Sequence, residues 1–244
     1  MSAMKIGGVP FDQDQVLEIV VGYAFGDERL VLRPPIGRDF GTLPSPRVNR
    51  FAYRSYDCVP RSPDELDARD ILVVAGLNTG IDAAGCLAAL AVAPSVTDAL
   101  AHVPAGTRFW DLPRDEIGAD VPVNSVGWYV QRAWWLLRSA PGIGNSISHK
   151  ILHHKHPAVF PLLDWSTIEL LPEGRAWQQI HQDLNEFAEE FESIEWMFGR
   201  TADDHRGVRL TRLRIHDIVL WCHATRQTDI ATELGRPLLE RAPV

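Results

Sequence analysis

Two glycines set two residues apart, in Pro141-Gly142-Ile143-Gly144-Asn145-Ser146, stand between two helix-like stretches, and no other feature constrains this chain as much. Glycine adopts backbone angles closed to other residues, so the chain can reverse sharply there. Small residues at this place also leave the first N–H groups of the following helix uncovered, and such groups attract anions together with the helix dipole. The segment predicts two helices joined by a tight turn that can cradle a phosphate. The plainer reading is that the glycines end one helix and begin the next. Ahead of the turn, Asn124 and Ser125 can cap a helix running to about Arg138, with Trp128, Trp134, Trp135 and Leu137 as its apolar load. Arg138 before the turn and Lys150 after it are placed to hold a strand's phosphate without reading a base.

The rest of the pattern is helical. Val16, Leu17, Val20, Val21 and Ala24 predict a first helix over Gln13–Phe25, although residues 18–21 also fit a strand. Residues 33–60 carry Pro34, Pro35, Pro44, Pro46 and Pro60 and read as a long loop. Ser62-Pro63-Asp64-Glu65 reads as a capping box opening a helix to about Leu77. Short alanine-rich helices are expected near residues 81–92 and 95–102, packed inside the bundle. Leu184, Phe187, Ala188, Phe191 and Ile194 keep one helical rhythm, with Glu189, Glu190 and Glu192 on the wet side. A last helix is expected from about Leu210 to Ala224. The class expected is all-α, with residues 1–60 supplying an N-terminal helix and irregular loop packed on a helical domain of residues 61–244.

With 244 residues, 45% of them hydrophobic, the chain can bury a substantial core. Its longest uncharged apolar stretches, residues 71–77 and 86–93, fall short of the roughly 20 residues a membrane span needs, so no membrane association is expected. The first residues lack the apolar centre of a signal peptide, so a cytoplasmic location is expected. Cys58, Cys86 and Cys222 are scattered, so a four-cysteine iron–sulfur cluster is excluded. A net charge of −8 argues against a protein that coats nucleic acid, but the charge is unevenly spread. Residues 121–163 contain no Asp or Glu, against Arg132, Arg138, Lys150 and Lys155. A second basic stretch holds Arg200, Arg206, Arg209, Arg212 and Arg214 against Asp203 and Asp204. The two stretches are expected to share one face.

The glycine turn, followed by Pro157-Ala-Val-Phe-Pro161-Leu-Leu-Asp164, resembles the helix-hairpin-helix DNA glycosylase superfamily, in particular endonuclease III relatives. Those proteins carry a hairpin of the form L-P-G-[VI]-G and an aspartate 22 positions after its first glycine; counting from Gly142 reaches Asp164. The resemblance covers residues 125–171. It implies a helical bundle of that type, double-stranded DNA as partner, and Asp164 as the carboxylate that stabilises charge on the sugar or activates water. Ala140 replaces the usual leucine, and Ile147-Ser148 replaces the common Thr-Ala. Ser146 stands where bifunctional members carry their Schiff-base lysine, which implies monofunctional base excision without a cofactor. Lys150 lies one turn further on. The segment from Lys150 to Asp164 also resembles an uncharacterised actinobacterial family, in which the fold can persist without the chemistry.

Three readings therefore stand: a monofunctional glycosylase that flips a damaged base, a non-catalytic DNA clamp, and the same fold turned to a small molecule or protein partner. Asp164 also precedes Trp165-Ser166-Thr167-Ile168 as a good helix N-cap. Trp165 is the candidate for stacking on an extruded base, while most of the eight tryptophans are assigned to the core. His149, His153 and His156 share one helix face and are read as a polar face near phosphate, with no metal site. No G-x-S-x-G motif is present, and Gly142 and Gly144 lack the third glycine of a dinucleotide fold.

Overall fold

The structure, a computed structural model, describes residues 3–26, 52–62, 65–77, 79–118 and 120–240. Among these the chain is helical apart from one hairpin, β1 (Met4–Ile6) antiparallel to β2 (Val9–Phe11), which turns through Gly7 and Gly8. Strands of three residues are too short to show a period of two in sequence, and the hairpin was not expected. The helix α1 (Gln13–Phe25) has the expected bounds and is buried from Val16 to Ala24 except at Glu18, which disposes of the strand alternative.

Most of the expected loop, residues 33–51 with Pro34, Pro35, Pro44 and Pro46, lies outside the described residues. Its far end is not irregular: Tyr53–Asp57 is a wide helical turn that buries Tyr53 and Tyr56. Pro63 and Asp64 of the expected capping box also lie outside the described residues, and the helix there, α2 (Ala68–Leu72), begins later. Asp67 caps it, accepting from the N–H groups of Arg69 and Asp70, while the Asp70 side chain accepts from the N–H of Asp67. A tighter 3₁₀ turn, Val73–Leu77, carries the chain on.

The two short alanine-rich helices are one, α3 (Ala83–Leu100). Pro94 sits inside it on the solvent side, where the carbonyl it leaves unpaired can be hydrated. Nor is α3 enclosed in the bundle: Leu87 is 68% exposed. By length and composition this fused helix is long and apolar enough to cross a membrane, unlike the separate stretches read from sequence. One side of it, with Ala89, Ala93 and Val96, packs toward α4 (Val126–Arg138), which is capped by Ser125 as expected.

Then come α5 (Asn145–Lys155), α6 (Trp165–Ile168), α7 (Ala176–Glu186) and α8 (Ala188–Asp204). The single rhythm read through residues 184–194 spans two helices that part at Phe187, whose φ of −114° and ψ of 39° are not helical. After α9 (Arg212–Ala224) the chain forms a further helix, α10 (Thr228–Glu240), which sequence analysis did not expect. Pro237 falls in its last turn, and Gly235 has a packing reason.

Two core clusters result. One joins the β-hairpin, α1 and α7 to α10, with Val20, Phe191, Phe198, Ile215 and Ile218 at its centre. The other joins α2 to α5 around Ile71, Val96, Leu137, Ile151 and Phe160. Val126 and Trp177 pack against both, and the chain crosses between them at residues 159–163. The helices α1 and α10 cross at two glycines. A Cβ on Gly22 would lie 1.9 Å from the Ala231 carbonyl oxygen, and one on Gly235 would lie 1.9 Å from that of Glu18.

Gly22→Ala should therefore destabilise the protein. Helix propensity favours alanine by about 1 kcal/mol, but driving two backbones apart in a packed core costs about 1–3 kcal/mol, with lost contacts added. Thermal unfolding followed by circular dichroism should show a fall of several degrees; an unchanged or raised Tm would contradict this close crossing.

Candidate functional site

The turn between α4 and α5 is built as its glycines require, and the two glycines differ. Gly142 has φ of +78°, and a Cβ there would sit 3.2 Å from the Cα of Gly85 in α3, so both backbone and packing demand glycine. Gly144 has an ordinary φ of −86° and nothing within 4 Å of where a Cβ would be. It is the N-cap of α5 and supplies no side-chain cap; among the described residues, no acceptor meets the N–H groups of Asn145, Ser146 and Ile147. Gly142 and Gly144 are exposed and Ser146 is half-buried. Arg138, exposed in the last turn of α4, lies over the rings of Trp134 and Trp135, 4.9 and 5.3 Å from their centroids.

The remainder of α5 is closed. Ser148 to Lys155 are all buried, and their polar groups find partners inside the protein. His149 accepts from Trp177 Nε1 at 3.0 Å, which leaves its Nδ1 to donate to the Asn145 carbonyl at 2.8 Å. His153 Nδ1 is 2.7 Å from the Phe160 carbonyl oxygen, and His154 Nδ1 is 2.9 Å from Asp70 Oδ1. Lys155 donates to the carbonyls of Ser62 and Glu65. The polar histidine face expected from sequence is thus an inner face, because α5 is surrounded on all sides.

Asp164 is the N-cap of α6, and all its cap bonds fall on one oxygen. Oδ1 accepts from Ser166 N at 2.9 Å, Thr167 N at 3.1 Å and Ser166 Oγ at 2.6 Å, and Thr167 Oγ1 accepts from Asp164 N. Among the described residues Oδ2 has no hydrogen-bond donor. The carboxylate is half-buried beside Trp165, which is 75% exposed.

Behind Asp164 lies a charged network that sequence analysis missed. Arg214 of α9 is buried and grips Asp57 with two parallel bonds, Nε to Oδ1 at 2.8 Å and Nη2 to Oδ2 at 2.9 Å. It also donates to Asp217 and to the Tyr23 hydroxyl, and its guanidinium lies 5.3 and 5.4 Å from the ring centroids of Tyr23 and Tyr56. Burial pushes the Asp217 carboxyl up to about 7; Arg214 opposes this, and the Asp164 charge adds to it. Lys150 closes the group. Burial pulls its ammonium below the usual lysine range against the attraction of Asp164 and Asp217, and Nζ donates to Thr79 Oγ1 at 2.8 Å.

Each basic stretch reaches solvent only in part: Arg132 and Arg138 of the first, and Arg200, Arg206 and Arg209 of the second, are exposed. Lys150 and Lys155 are buried, so only Arg132 and Arg138 of the first stretch face solvent. In the second, Arg214 is internal, Arg212 pairs with Glu195 at 2.7 Å, and Arg209 pairs with Asp203 at 2.7 Å. Nor are most tryptophans core: Trp110 is buried, Trp135, Trp165 and Trp196 are exposed, and the other four are half-buried.

Fold and site define an all-α protein in which a glycine turn presents an uncapped helix end and, further along the chain, an aspartate caps a short helix through one oxygen. A family model described as "Family of unknown function (DUF6308)" matches residues 38–224. The chain belongs to that family. No curated protein and no solved structure matches it.

The buried imidazole of His149 yields a pH prediction. Burial holds it down at about 4, against 6.5 for a free histidine. Between those values the unfolded chain takes up a proton that the folded one refuses. The stability tied to this group is therefore complete above about pH 6.5 and lost as pH falls through 4, on the order of 3 kcal/mol in all. Imidazole NMR should find His149 neutral at pH 5, with the proton on Nδ1; a midpoint near 6.5 would contradict the assignment.

Proposed function

We propose that this protein binds duplex DNA as a helix-hairpin-helix protein of the glycosylase type. A backbone phosphate rests on the N–H groups that open α5, and Asp164 serves as the carboxylate for hydrolysis of an N-glycosidic bond. The observation that carries this reading is Gly144. Its backbone angles suit any residue and its surroundings would admit a side chain, so the folded protein itself has no use for glycine there. An outside group approaching the helix end does, because a serine or aspartate cap would cover the N–H groups it needs. The partial positive charge of the helix end and Arg138 nearby suit an anion held by its backbone and not by a base.

The chemistry follows from what Asp164 can do. As the bond from sugar C1′ to base nitrogen lengthens, its electron pair leaves with the base and the sugar gains positive charge. A carboxylate held by its cap on Oδ1 can offer Oδ2 to that charge or orient the water that adds to C1′. The water's proton leaves to solvent or base, and the products are a free base and an abasic sugar. Ser146 offers no amine, so no Schiff base forms there and the strand stays intact. The exposed ring of Trp165 beside Asp164 suits stacking on an extruded base.

A second reading rests on Lys150. It lies within electrostatic reach of Asp164, and burial pulls its ammonium below the usual lysine range, toward the neutral amine that attacks an abasic sugar. Borohydride reduction separates the two: an adduct trapped in the native protein and lost in Lys150→Ala assigns a lyase step to Lys150.

Asp164→Asn keeps a side-chain acceptor for the cap and removes the charge. Base release from a panel of damaged and mismatched duplexes should fall by about 10²–10³-fold, with the fold and DNA affinity retained. Undiminished release would reduce Asp164 to a cap, and DNA binding without any release in the native protein would leave a clamp. Gly144→Asp should act oppositely on stability and binding. It caps α5, leaving Tm unchanged or slightly raised, while duplex affinity drops at least about tenfold. Unaltered affinity in a salt titration would contradict the phosphate site.

A further inference from the structure

The helix α4, which leads into the glycine turn, carries an aromatic and cationic outer face that the core does not use. Its inner side, Val130, Ala133 and Leu137, is buried in the second cluster. Trp128, Arg132 and Trp135 follow at spacings of four and three, which puts them on one face, and Arg138 continues it toward the turn. The Arg132 guanidinium lies 5.1 Å from the Trp128 ring centroid, and that of Arg138 lies 5.3 Å from the Trp135 ring centroid. Trp135 is nevertheless 57% exposed. Residues 121–163 hold no carboxylate on a chain whose net charge is −8, so an anionic partner meets no repulsion from this segment.

We propose that this face of α4 is a stacking surface for the unpaired bases of a nucleic-acid strand. It extends the reading of the turn as a phosphate site and rests on it: a duplex end sits at α5, and the single-stranded part continues along α4. Indole faces alternating with guanidiniums match a strand in which flat bases alternate with phosphates. A paired duplex hides its base faces in the stack, so the tryptophans select unpaired bases. The preformed arginine–tryptophan contacts hold the guanidiniums near the rings before the ligand arrives, which reduces the ordering needed on binding.

The test uses the full chain and three probes: a short oligothymidylate, a duplex of equal length, and vesicles of phosphatidylserine in phosphatidylcholine. Tryptophan fluorescence should be quenched by oligothymidylate. Trp135→Ala should weaken that binding by about tenfold or more, and Trp135→Phe should largely restore it. Trp135 is a surface residue, and unchanged circular dichroism confirms that the variants fold. Duplex binding should be indifferent to Trp135→Ala and weakened at least about tenfold by Gly144→Asp. Oligothymidylate affinity unaffected by Trp135→Ala overturns the proposal, as does Trp135-dependent binding of the vesicles in place of the oligomer. The two readings fail separately. Duplex binding that ignores Gly144→Asp, beside Trp135-dependent oligothymidylate binding, removes the phosphate site and keeps the stacking face. The reverse pattern removes the stacking face and keeps the phosphate site.

Discussion

The buried guanidinium of Arg214 is the constraint on which the rest of the structure depends. A lone charge in a protein interior is costly, and breaking one side of a buried pair costs about 3–5 kcal/mol because the other charge is left uncompensated. Here the fork geometry of arginine meets the cost. Two bonds go to Asp57, one to Asp217 and one to Tyr23, with Tyr23 and Tyr56 close by. These partners come from three parts of the chain: α1, the turn at Tyr53–Asp57, and α9 itself. Tyr23 belongs to one core cluster and Tyr56 to the other, so the network ties the two together. From Tyr56 the tie reaches α5, since the Tyr56 hydroxyl donates to the Lys150 carbonyl at 2.5 Å.

That connection fixes the helix bearing the candidate site. α5 is also bonded to α7 through His149 and Trp177, and to α2 through His154 and Asp70. The turn before it is pressed on α3 where Gly142 meets Gly85. A helix held along its length, yet left without a cap at its first turn, has its polar valences satisfied everywhere except where a ligand would bind. Asp164 repeats the pattern, with one oxygen committed to the fold and the other uncommitted among the described residues. Asp217 and Lys150 bias each other electrostatically, and the Asp164 charge acts on both. The pieces of the proposed chemistry are therefore mounted on rigid elements, which such chemistry needs.

How much of this was legible in the sequence depended on whether the signal was local. The bounds of α1, the Ser125 cap of α4, the glycine turn and the Asp164 cap are all written within a few residues of themselves. The Arg214 network is not: Arg214 and Asp57 are far apart in sequence, and nothing near either announces the other. Counting charges failed for a related reason, since it assumes that lysine and arginine lie outside, and Lys150, Lys155, Arg212 and Arg214 do not. The histidine face was misread because periodicity identifies an outer side only when a helix has one. The helix α10 went unread, although its close approach to α1 is what requires Gly235.

The proposal that the first turn of α5 is an anion site for DNA rests on its uncapped N–H groups. The most direct measurement is the amide NMR spectrum of the protein as a short duplex is added at low salt. The N–H signals of Asn145, Ser146 and Ile147 should move furthest, in step with one another, and return as salt is raised. Shifts that spare these three amides while DNA is bound, or shifts indifferent to salt, would contradict it.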